Sequence, residues 1–443
     1  MDNLNPHAEL LIKAQVILTQ NQDREVLEHA GLAVGQGLIL DIGDWEAVSL
    51  RHPGAKVLDL GRSMLLPGLV NAHTHAPMTL FRGAGEDMLL MDWLTQRIWP
   101  LERELTPELI HLGALLACAE MIRFGTRAFL DGYMHEEEVG RAADTTGLRA
   151  VLGEGFFRFP SPLFPTAQAA WDRVEFLRER FAGHPRIGLS YCPHTVYTTD
   201  PEDLAESYAL ARKHGLIWQT HCSENAAEIE SCLSLYGKRP LALLAEMDLL
   251  GPGTVLHHCV DLTQAEMALL AETRTGVVHC PESNMKLGCG QAPVRALLKA
   301  GVAPALGTDG AASNNNLNLF GEMRRAALLQ KVASLDPTAL PAQTALDMAT
   351  RHGAAVLALP GDQGLVPNAP ADLIALDLTF PNLMPLHNPV SQAVYAACGQ
   401  EVRLNMVDGR ILYRDGCYLT LDYPGLSAEV RQAQTWVKNR LPV

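Results

Sequence analysis

Between roughly residues 66 and 308, short apolar runs alternate with longer amphipathic segments, and this alternation constrains the fold more than any other feature of the chain. Strand-like and helix-like units repeated in that order specify βα repeats around a parallel sheet. Eight runs read as strands, at 66–71, 126–131, 149–153, 187–191, 216–220, 254–258, 276–279 and 302–308. Eight units predict a closed α/β barrel of the (β/α)8 type rather than an open doubly wound sheet. Outside them the period changes. Residues 8 to 62 hold short β segments such as Leu10-Leu-Ile-Lys-Ala, and the pattern returns at 371–376 and 403–413, where Asp408-Gly409 has the chemistry of a hairpin turn. The expectation is a barrel at 65–359 and a small β-sandwich built from 1–64 and 360–443, linked through the Gly- and Pro-rich stretch 361–370.

Composition narrows the function classes. The chain of 443 residues is 48% hydrophobic and 19% charged, enough apolar material for a large core. Its net charge of −15 opposes a phosphate backbone, so nucleic acid is excluded as an expected partner. Nine cysteines without a C-x-x-C pair suit a reducing compartment. The start Met1-Asp-Asn-Leu-Asn lacks a basic and apolar leader, and no apolar run reaches spanning length; the expectation is a cytoplasmic protein without membrane contact. For an enzyme of this size a homo-oligomer is the expected state.

Barrel enzymes build their sites at the C-terminal ends of the strands, and polar residues gather at those ends here. The first run leads into His73 and His75, whose i, i+2 spacing places both imidazoles on one strand face. Alone the pair carries little weight, since 16 histidines in 443 residues give about 0.6 such pairs by chance. The fourth run ends at His194, the fifth at His221 with Glu224 beyond it, the sixth at His257-His258 and the eighth at Asp309. His73, His75, His221 and Asp309 together suit a zinc ion with one position left for water; iron or manganese also suits such a set. A metal-bound water ionises near pH 7 and becomes a nucleophile. Asp309 is then placed to take its proton, Glu224 to pass a proton to a substrate ring nitrogen, and His258 to hold the nucleophile or stabilise charge. His257 is expected to point to the strand's other face. The cysteines beside these residues read as packing, and Met78, Phe81, Met88, Met91, Trp93 and Trp99 as helix packing or a hydrophobic wall.

Pro67-Gly-Leu-Val-Asn-Ala-His-Thr-His, Thr220-His-Cys-Ser-Glu, His258-Cys-Val, His279-Cys-Pro-Glu-Ser-Asn and Leu306-Gly-Thr-Asp-Gly-Ala-Ala-Ser resemble motifs of the amidohydrolase superfamily. Within it the chain is most similar to the 5-methylthioadenosine/S-adenosylhomocysteine deaminases, over nearly its whole length. The resemblance implies one Zn²⁺ per subunit on His73, His75, His221 and Asp309, Glu224 against the purine, and substrate contacts from Glu102 and His194. A carboxylate such as Glu102 can accept hydrogen bonds from both ribose hydroxyls. Superfamily members with two metals carry a lysine at the end of the fourth strand, where this chain has Ser190-Tyr-Cys-Pro-His194. The implied reaction is hydrolytic deamination of the adenine ring of a purine nucleoside thioether, with metal-bound hydroxide attacking C6 to give the inosine analogue and ammonia. Guanine, pterin or triazine chemistry on the same metal site is the alternative, with no ribose for Glu102 to hold; a scaffold that has lost its ligands is a third reading, opposed by the intact set. Members that process S-adenosylhomocysteine hold its carboxylate with arginine near the third strand's end. Here Glu154 stands in that region and would repel it, while Arg158 would attract it only from an inward-turned loop, so 5-methylthioadenosine is the expected better substrate.

Overall fold

The computed structural model describes residues 7–159, 164–361 and 363–441. Eight parallel strands form one sheet in chain order: β1 (Leu69–Thr74), β2 (Thr126–Tyr133), β3 (Arg149–Phe156), β4 (Ile187–Pro193), β5 (Ile217–Cys222), β6 (Thr254–His258), β7 (Gly276–His279) and β8 (Ala305–Leu306). Helices follow the strands, as the alternation predicts. The barrel is nearly closed. Between β8 and β1 the backbone ladder gives way to a seam held by side chains: Asn71 Nδ2 donates to Thr308 Oγ1 (2.7 Å), and Thr308 N donates to Asn71 Oδ1 (2.9 Å). One backbone bond, Asp309 N to His73 O at 2.9 Å, completes it. Gly307 makes this approach feasible, because a Cβ there would stand 2.7 Å from the Cβ of His73.

Two expected strands change at their ends. The run at 66–71 divides at Gly68: Ser63–Pro67 pairs with Leu373–Asp377 in the second sheet, and the barrel strand begins at Leu69. A Cβ at Gly68 would meet Arg127 Cβ at 2.7 Å, so the crossing between sheets needs glycine. The run at 302–308 keeps only Ala305–Leu306 as regular strand, since Pro304 has no N–H to give and Thr308 bonds through side chains.

The terminal segments form a second, nine-stranded sheet, mainly antiparallel, in which Leu10–Leu18 pairs in parallel with Lys56–Asp59 and Ser63–Pro67. The Asp408-Gly409 hairpin is present, with φ of +54° and +71° at its two turn residues, the pattern of a type I′ turn. Strands far apart in the sheet share one apolar core, including Ile12, Leu32, Ile39, Leu373 and Met406, so the sheet curls over itself as a sandwich. The helix Tyr423–Lys438 leaves the sheet and packs Leu426 and Ala433 against Leu112 and Ala119 of the barrel helix Pro107–Arg123. Among the described residues no single helix is long and apolar enough to cross a membrane.

Asp372 fastens the two sheets together. Its carboxylate, almost fully buried, accepts Arg149 Nε (2.7 Å), Arg149 Nη2 (3.2 Å), Arg127 Nη1 (3.4 Å) and Asp408 N (2.7 Å). Burial pushes this carboxyl up, but the two guanidinium groups outweigh it and hold it below its ordinary range. A lowered carboxyl adds stability above its unfolded pKa of about 3.9 and loses it as pH falls through the folded value. Asp372→Asn is therefore expected to lower the unfolding free energy by about 3–5 kcal/mol at neutral pH. Denaturant titrations should show the gap to wild type narrowing below about pH 4.

Candidate metal centre and active site

The strand ends bring the expected donors together. His73 lies inside β1 and His75 just past it, with ring centroids 4.8 Å apart; His221 in β5 lies 5.0 and 5.5 Å from them. Asp309 Oδ1 stands 3.4 Å from His73 Nε2 and 3.3 Å from His75 Nε2. His73, His75 and His221 can hold one ion together, as can His73, His258 and Asp309, so the two overlapping groups describe a single centre.

Local hydrogen bonds set which atoms face the centre. His75 Nδ1 donates to Gly132 O (2.5 Å) and His221 Nδ1 donates to His194 O (2.6 Å). A carbonyl only accepts, so each ring carries a proton on Nδ1 and turns Nε2, the atom that can bind a metal, toward the centre. His73 Nδ1 has no hydrogen-bond partner among the described residues. Burial pushes the His75 imidazole down, but Asp309 outweighs it and raises it to about 9, whereas burial and neighbouring histidines lower His221 to about 4. Gathered, buried imidazoles with an adjacent carboxylate fit a divalent cation far better than they fit one another.

Asp309 sits at φ +64°, a left-handed backbone that costs energy in a non-glycine residue and turns its carboxylate inward. Ser283 Oγ (2.6 Å) and Ser313 Oγ (2.9 Å) donate to Oδ2, and Gly310 N (2.8 Å) donates to Oδ1. Burial would raise this carboxyl, but His73 and His75 outweigh it and hold it well below the carboxylate range. It remains ionised. Neither serine was singled out from sequence, although Ser283 and Ser313 lie within the quoted motifs, in Glu282-Ser-Asn and Ala311-Ala-Ser.

His258 and Cys259 also adopt positive φ, +71° and +48°. His257 precedes this break and stands in register with His221, so it shares the inward face, while the left-handed backbone at His258 lets the adjacent side chain reach the centre as well. Instead of pointing out of the barrel, His257 is fully buried within it, its ring stacked on His73 at 3.9 Å. His258 lies at the centre as expected, with Asn284 Nδ2 3.1 Å from its Nδ1.

A cavity of about 590 Å³ opens onto the centre, and His75, Glu102, His194, His221, Glu224, His258 and Asp309 all line it. Glu224 precedes the helix Ala226–Tyr236, which Asn225 caps by accepting Glu228 N (3.0 Å), while the Glu228 carboxylate accepts Ser223 N and Glu224 N, so the Glu224 side chain is left to face the cavity. Burial raises the Glu224 carboxyl to about 6, against the pull of His221. Glu102 ends the short helix Trp99–Glu102, and Tyr133 Oη donates to its Oε1 (2.7 Å). Burial raises this carboxyl as well. Trp93, Leu94, Ile98, Trp99, Phe157 and Phe159 form an apolar wall, so the run after the first strand supplies lining as well as packing.

Two expectations near the third strand do not hold. The Glu154 side chain faces away from the cavity: fully buried, it accepts Glu136 N (2.9 Å) and lies 3.9 Å from Arg173 Nε, so it cannot repel a substrate there. Neighbours on a strand alternate, and Gly155 is the residue that lines the cavity. Arg158 is exposed and outside the lining, tied by its backbone N–H to Thr198 O (2.8 Å). Arg103, to which the sequence pattern assigned no role, is the one Lys or Arg lining the cavity among the described residues.

Comparison with known proteins agrees with this geometry. The Amidohydrolase family matches residues 64–412. A 5-methylthioadenosine/S-adenosylhomocysteine deaminase of Nitratidesulfovibrio vulgaris is 50% identical over 433 residues, 98% of each chain. A 5′-deoxyadenosine deaminase of Methanothermobacter thermautotrophicus is 43% identical over 88% of this chain and 92% of its own length. An adenosine deaminase structure from Xanthomonas campestris with bound zinc superposes with a TM-score of 0.95 at 35% identity, covering 98% of this chain and 100% of that one. The chain belongs to the amidohydrolase family, in the branch of the 5-methylthioadenosine/S-adenosylhomocysteine deaminases, and is a metal-dependent aminohydrolase.

Proposed function

We propose that the protein hydrolyses the exocyclic amine from the adenine ring of 5-methylthioadenosine and S-adenosylhomocysteine, releasing ammonia and the inosine analogue. One observation carries this reading: three imidazoles and Asp309 converge at the floor of a cavity whose walls present Glu224, Glu102 and an apolar face. His73, His75, His221 and Asp309 are the groups suited to hold one Zn²⁺ ion, which when bound supplies a water that ionises near neutral pH.

The chain's own residues account for the remaining steps. Asp309, kept ionised by its surroundings, accepts the proton released from water. Glu224, with its carboxyl raised to about 6, carries a proton for part of the time at neutral pH and delivers it to a purine ring nitrogen. His258 holds the attacking oxygen in line or steadies the charge that develops as it attacks. Glu102, with Oε1 held by Tyr133, accepts the ribose hydroxyls, and His194 borders the same space. The aromatic wall excludes water and suits a methylthio group. Arg103 is the cation available to a substrate carboxylate.

The reading is tested by following adenine-to-hypoxanthine conversion in the ultraviolet with adenosine, 5-methylthioadenosine and S-adenosylhomocysteine. Turnover is expected on both thioethers, and absence of turnover on all three would sink the proposal. Arg103→Ala should lower kcat/KM for S-adenosylhomocysteine by about tenfold, the value of one charge-assisted hydrogen bond, and leave 5-methylthioadenosine unchanged. Glu224→Gln should keep its zinc, read by metal analysis, and lose kcat by at least about 10²-fold. Near wild-type turnover in that variant would remove Glu224 from proton transfer.

A further inference from the structure

Barrel interiors are usually filled by bulky branched aliphatic side chains. Beneath this centre the filling is polar instead: Asn71, Ser190, Gln219, His257 and Thr308 are all buried within the sheet. Gln219 Nε2 donates to Asp131 O (2.9 Å) and to Ser190 Oγ (2.8 Å). The Asp131 carbonyl can only accept, so the amide of Gln219 has one orientation and its Oε1 faces His257 Nε2, 2.8 Å away. His257 must then donate from Nε2. The tautomer is fixed by a chain of bonds that starts at a backbone carbonyl.

That bond locks the imidazole of His257 in one plane, and the face of the ring lies against His73, with centroids 3.9 Å apart and planes 22° from parallel. His75 and His221 each have a carbonyl to orient them through Nδ1, whereas His73 Nδ1 has no hydrogen-bond partner among the described residues. Contact with a flat neighbour takes over the orienting task that a hydrogen bond performs for the other two.

We propose that Gln219 and His257 form a positioning pair: Gln219 fixes the ring of His257, and the face of that ring fixes the ring of His73 for metal binding. The pair touches neither substrate nor metal. The inference rests on the metal-site reading above but not on the identity of the substrate.

The test is zinc affinity of the metal-free protein, measured by competition with a chromophoric chelator, for wild type, His257→Leu, His257→Phe, Gln219→Met and the Gln219→Met/His257→Leu double variant. His257→Leu and Gln219→Met are each expected to weaken zinc binding about 10- to 100-fold, the usual effect of losing a group that orients a ligand. The double variant should lose no more than His257→Leu alone, because both residues act through one ring. His257→Phe keeps a flat face and should recover affinity relative to His257→Leu; a phenylalanine variant as weak as the leucine variant would overturn the stacking role. Affinities within about twofold of wild type in both single variants, or losses that multiply in the double, would overturn the pair. Should His257→Leu not fold, Gln219→Met decides by the same thresholds. A wild-type chain that takes up no zinc would remove the metal site and the pair with it.

Discussion

The structure depends on gathering a carboxylate and three imidazoles from distant parts of the chain into one buried centre. Bare, such a cluster is costly, since each polar atom gives up its hydration. The protein offsets this by supplying Asp309 with three donors and by giving His75 and His221 a carbonyl each. The barrel makes this possible because its strands are parallel and all eight end on one face. The left-handed backbone at His258 and Asp309 is the strain accepted for aiming those side chains inward.

The chemistry follows from how the environment separates carboxylates that look alike in sequence. Asp309 is held far below the ordinary range by its histidine neighbours, while Glu224, a short distance away in the same cavity, is raised to about 6 by burial. Two acids pushed in opposite directions are suited to opposite proton-transfer duties. Glu154 shows that burial alone does not make a functional acid. It is raised to about 7, but its partners are Glu136 and Arg173 on the outer side of the strand.

Legibility in the sequence followed the range of the forces involved. Periodicity located all eight barrel strands, and residues at their ends marked the metal donors, because strand direction and face follow from local pattern. Boundaries failed where single residues override the pattern, as at Gly68, where the chain passes from one sheet to the other, and at Pro304, which shortens the last strand. Side-chain direction failed where the backbone leaves the extended region. His257 faces inward beside its register partner His221, and the positive φ at His258 brings the next side chain to the same centre, so two adjacent histidines break the expected alternation. Arg103 was out of reach for another reason: its place at the cavity depends on how the segment after the first strand folds over the mouth, a tertiary outcome with no local signal. Tyr133, by contrast, is the last residue of β2, a strand-end position.

The seam between the first and last strands gives the barrel an unusual closure. Elsewhere neighbouring strands of the ring pair through their backbones, but here a few side-chain bonds and one backbone bond join residues more than two hundred positions apart in the chain. Two candidate ligands stand on one side of that join and the acidic ligand on the other. An ion seated between them would work as a clasp, tying the circumference shut at its weakest point and coupling the integrity of the whole ring to the occupancy of its catalytic centre.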